Sequence, residues 1–67
     1  MITRVDVRKR VSEIAKEIDD PEKAHSMEDD LWELVLKTLA IGNTDDPKGI
    51  CSEALKTKRI DFPRWCA

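Results

Sequence analysis

The sequence predicts an all-α protein, a three-helix bundle with a central apolar helix 2 and a C-terminal aromatic tail packed on it. Three observations carry that expectation. Apolar residues recur at helical spacing in residues 4–18, 27–41 and 47–57. Each run is preceded by a residue pattern that starts helices. The middle run is apolar around far more of its circumference than a surface helix needs.

Helix 1 is expected from about Arg4 to Ile18. Thr3 and Asp6 have the spacing of a capping box, and Ile2 and Val7 that of a hydrophobic staple. Val7, Val11, Ile14 and Ile18 then share one face, and Pro21 stops the run. Asp20-Pro21 reads as a cap followed by a proline at the first helical position, opening a short turn over residues 21–25. Ser26, with Asp29 three residues on, gives a second start, so the main helix 2 is expected over about 27–41. Glu28, Asp29 and Asp30 then fall in its first turn, where the helix dipole favours negative charge. Gly42 supplies its stop. Leu31, Leu34, Val35 and Leu39 are expected at the centre of the core, on an apolar arc of roughly 200° that also holds Met27, Trp32 and Leu36. Asp46-Pro47 starts helix 3, about 47–57, whose stripe of Ile50, Cys51, Ala54 and Leu55 is thin. The tail, 58–67, carries Phe62 and Trp65, and aromatics so placed suit a lid over the core.

Sixty-seven residues allow one domain, 1–67, with a core small enough to need help from tight helix packing or self-association. Two cysteines cannot form a disulfide framework. The chain lacks the ~20-residue apolar run of a membrane span, and its start has no apolar signal region. A cytoplasmic protein with reduced thiols is expected. The net charge of -2 hides a segregation. Residues 1–16 carry +3, from Arg4, Arg8, Lys9, Arg10 and Lys16 against Asp6 and Glu13. Residues 17–46 carry -8, and residues 47–67 carry +3. Basic elements flanking an acidic centre can pair within one molecule or between two copies.

The run Glu28-Asp29-Asp30-Leu31 through Val35-Leu36, the segment Ala54-Leu55-Lys56-Thr57 and the ending Ile60-Asp61-Phe62-Pro63-Arg64-Trp65-Cys66-Ala67 resemble a family of small uncharacterised bacterial and phage proteins. The resemblance covers about the C-terminal two thirds. It implies a stand-alone intracellular protein and assigns no site.

His25, Cys51 and Cys66 are the only soft metal ligands, without the close pairs that zinc sites favour, so no metal or other cofactor is expected. A cysteine nucleophile with His25 as base would lack an orienting third group, so no enzyme is expected. Cys51 reads as a small core residue and His25 as part of an exposed linker. The acidic residues lack the spacing and glycine of a calcium loop. What remains is protein–protein interaction, as a regulator, inhibitor or accessory subunit and as a homodimer, with Trp32, Leu36, Phe62 and Trp65 as contact residues. The rival is a nucleic-acid-binding module using Arg4, Arg8, Lys9 and Arg10 at the start of helix 1. Against a helix-turn-helix reading, Asp45 and Asp46 would stand where phosphates should approach.

Overall fold

The computed structural model describes residues 1–64; Trp65, Cys66 and Ala67 lie outside the described residues. Three helices, α1 (Arg4–Lys16), α2 (Pro21–Ala40) and α3 (Pro47–Leu55), lead into a 3₁₀ turn at Lys56–Arg59. The expected all-α three-helix bundle is what the chain forms.

Thr3 closes the capping box of α1: its Oγ1 accepts from the Asp6 backbone N–H, and the Asp6 carboxylate accepts from the Thr3 backbone N–H at 2.9 Å. The helix ends at Lys16, two residues short of the expected Ile18. Asp20 must leave the helical conformation to cap α2, so residues 17–20 unwind into a turn and Ile18 is left exposed. Asp20 accepts from the Lys23 N–H, and Pro21 opens α2 at its first position.

The expected break near Ser26 does not occur. Nothing in residues 22–26 interrupts a helix once Pro21 has started it, and Ser26 simply sits exposed on its surface. His25 is therefore a half-buried helical residue beside Asp29 rather than part of a linker. Glu28, Asp29 and Asp30 likewise lie in the interior of α2, beyond the reach of its N-terminal dipole. Gly42, at φ 68°, ends the helix as expected. Asp46 caps α3 through the Gly49 N–H at 3.1 Å. A Cβ at Gly49 would strike the carboxylate of Asp46 and the guanidinium of Arg4, so glycine leaves room for that ion pair. Helix 3 ends at Leu55 rather than Thr57, tightening into the 3₁₀ turn that buries Thr57 completely.

The core gathers Val7 and Ile14 of α1, Ala24, Leu31 and Val35 of α2, Ile50 and Ala54 of α3, and Phe62 of the tail. The register expected for α2 holds, but its buried centre runs through Ala24, Leu31 and Val35. Leu34 and Leu39 flank that line, half-buried. The helices run up, down and up. Arg4 reaches Asp46 and Arg8 reaches Glu53, so α1 and α3 are parallel. Trp32 meets Thr57 at the far end of α3, so α2 and α3 are antiparallel.

Candidate protein-interaction face

The expected contact residues part company in the structure. Phe62 is buried at 5% exposure and belongs to the core, so it leaves the set of contact residues. Trp65 lies outside the described residues. Trp32 is half-buried: its indole N–H donates to Thr57 Oγ1 at 3.1 Å, and the Lys58 ammonium stands 5.6 Å from its ring. Leu36, one turn further along α2, is 66% exposed.

Trp32 and Leu36 form one bank of a groove of about 250 Å³, with Val35 at its floor and Cys51, Ala54 and Leu55 of α3 on the opposite bank. All six are apolar or sulfur-bearing. Leu55 is 57% exposed. Two large aliphatic side chains thus stand half or more in water beside an apolar trough, the arrangement that marks contact sites. The cause is in the sequence. Helix 2 is apolar over too wide an arc for α1 and α3 to cover, and on that side α3 packs only small residues, Cys51 and Ala54, while its Leu55 stands out in water. Helical spacing puts Asp29 and Glu33 just outside the Trp32–Leu36 row, both exposed. On the other bank Lys58 and Arg59 are exposed at the end of the 3₁₀ turn.

A larger depression, about 470 Å³, lies between α1 and α2, bordered by Ile2, Asp6, Lys9, Arg10, Glu13 and Leu34. Its charges are mixed, Lys9 and Arg10 with Asp6 and Glu13. Among the described residues no three His, Cys, Asp or Glu side chains converge as a metal would require. No helix among them is long and apolar enough to cross a membrane.

The basic start of helix 1 does not form one stripe. Arg4 and Arg8 turn toward α3, where they pair with Asp46 at 3.0 Å and Glu53 at 3.1 Å. Lys9 and Arg10 follow about 100° and 200° round the helix from Arg8. The Glu53 carboxylate is buried under Arg8 and Lys56; hydrogen bonds from Lys56 and then Arg8 hold it below its ordinary value, against the opposing effect of burial.

Sequence reasoning missed the most connected polar site. Arg64 donates from Nε and Nη2 to the two oxygens of Glu28, at 2.9 and 3.0 Å. Its guanidinium also serves the carbonyls of Thr57, Ile60 and Phe62 and lies 3.9 Å from the Phe62 ring. Burial would raise the Glu28 carboxyl, but Arg64 and the Thr57 hydroxyl overcome it and hold the group below its ordinary value. The Arg64 guanidinium is raised in turn, chiefly by its hydrogen bonds to Glu28. This clamp fastens the tail to α2 and so fixes Thr57 against Trp32 at the end of the groove. No local signal marks it, because the partners are 36 residues apart.

In comparisons with known proteins, no family model matches the chain, and no curated protein or solved structure matches it.

Proposed function

We propose that this chain is a small protein-interaction protein, a regulator, inhibitor or accessory subunit, whose contact face is the groove between α2 and α3. One observation carries the reading: Leu36 and Leu55 stand exposed on either side of an apolar trough floored by Val35. Hot spots favour a large aromatic side chain ringed by other contacts, and Trp32 beside Leu36, with Leu55 on the facing bank, can supply one. The reading takes the chain to be non-enzymatic, free of cofactors and cytoplasmic, and self-association belongs to it. It also fits the small bacterial and phage proteins that the C-terminal ending resembles.

A photo-crosslinking residue in place of Leu36, in the native host, tests it. Protein adducts are expected from position 36 and not from Ser12, which is exposed on α1. Equal adducts from both positions, or none from position 36, would remove the groove from consideration.

A further inference from the structure

We infer that the partner seated in the groove is a second copy of the chain, docked about a two-fold axis that runs along the groove. This deepens the interaction reading and rests on it. Charge in register selects a second copy. Because α2 and α3 are antiparallel, Trp32, midway along α2, is level with the 3₁₀ turn that follows α3. Asp29 and Glu33 therefore lie on one bank at the same height as Lys58 and Arg59 on the other.

A two-fold axis along the groove keeps that height and exchanges the banks. It sets the acids of each copy against the bases of the other, twice over. An axis across the groove would instead set α2 against α2 and leave Lys58 and Arg59 without acids opposite. The charge segregation also points outward. Arg4 and Arg8 of α1 pair with Asp46 and Glu53 of the α3 segment, not with the acids of α2. Among the described residues Glu33 pairs only with Lys37 of its own helix, at 2.9 Å, a contact exposed on both sides.

The same axis stacks Leu36 of one copy over the Leu55 bank of the other. It also makes α2 and α3 of both copies into a four-helix arrangement in which neighbours alternate in direction. The face is small. Alpha3 and its 3₁₀ turn, 13 residues in all, span about 20 Å, and two helices side by side are roughly 20 Å across. That lies at the low end of specific interfaces, so the dimer should be a micromolar one.

Sedimentation equilibrium of the full chain from about 10 to about 500 µM decides the matter. The expected outcome is reversible dimerisation of the 7.7 kDa chain. Leu36→Asp should weaken it at least ~30-fold while leaving the far-UV circular dichroism unchanged, since the side chain is already exposed. Glu33→Lys and Lys58→Glu should each weaken it about 10-fold, and the two together in one chain should recover most of the loss. A monomer throughout that range overturns the proposal. So does a dimer indifferent to Leu36→Asp, or one that the double reversal fails to rescue. The crosslinker at position 36 keeps the two readings apart. Adducts of other mass from a monomeric chain reject the second copy but retain the groove; no adducts reject both.

Discussion

At the scale of single residues, the Glu28–Arg64 clamp determines how the fold should respond to acid. A carboxylate buried this deeply is favourable only while its partner is present; breaking such a pair by removing one member costs about 3–5 kcal/mol. The Glu28 carboxyl lies below its ordinary value in the folded chain, so the folded state keeps its charge at pH values where the unfolded state has begun to take up a proton. The contribution is therefore complete above the ordinary carboxylate range, near 4.5, and is lost as pH falls through the depressed value. Thermal melts from neutral to acid pH check this against Glu28→Gln. The gap in midpoint between the two chains should be constant above that range and shrink below it; a gap unchanged in acid would mean that the charge on Glu28 contributes nothing. None of this was legible in the sequence. Glu28 reads there as one of three acids in a first turn, and Arg64 as part of an ending motif, because an ion pair across 36 residues depends on how the tail folds back.

At the scale of elements, the parts that proved legible are those whose cause is local. Thr3 with Asp6, Asp20 with Pro21, Asp46 with Pro47, and Gly42 each act within a few residues, and each begins or ends a helix in the structure. The false break at Ser26 shows the limit of that logic. A capping residue starts a helix only where the preceding chain is not already helical, and Pro21 had settled that one turn earlier. The tail was legible as a lid through Phe62, though not through its arginine. Ending the chain after Arg59 removes both. Losing a buried phenylalanine costs about 3–5 kcal/mol, and leaving Glu28 unpaired adds a similar amount. A domain of this size has roughly 3–10 kcal/mol in total, so the truncated chain should be largely unfolded at room temperature. A melt by circular dichroism with an unchanged midpoint would show that Phe62 does not contribute to the core.

At the scale of the molecule, the wide apolar arc of helix 2 announced an uncovered face, and Leu36 stands there in the open. Which bank would oppose it was not legible, because the level of Glu33 against Lys58 appears only once α2 and α3 are packed. The charge segregation was legible in part: Arg4 of the basic start pairs with Asp46 and Arg64 of the basic end with Glu28, both acids of the 17–46 segment, whereas Arg8 pairs with Glu53 beyond it. That detail reaches beyond equilibrium packing. With α1 and α3 parallel, the ion pairs Arg4–Asp46 and Arg8–Glu53 close over more than forty residues, whereas each helical hairpin closes over a short turn. The longer closure costs ~2 kcal/mol more in chain entropy. The two hairpins are therefore expected to form first and the seam between α1 and α3 last, after the folding barrier is crossed. Removing both ion pairs together should speed unfolding and leave the refolding rate nearly unchanged, which the two arms of a denaturant chevron report separately. A refolding arm slowed as much as the unfolding arm is quickened would instead place the seam within the folding nucleus. A seam closed this late holds the fold shut without helping it to form, although each of its two helices already belongs to a hairpin.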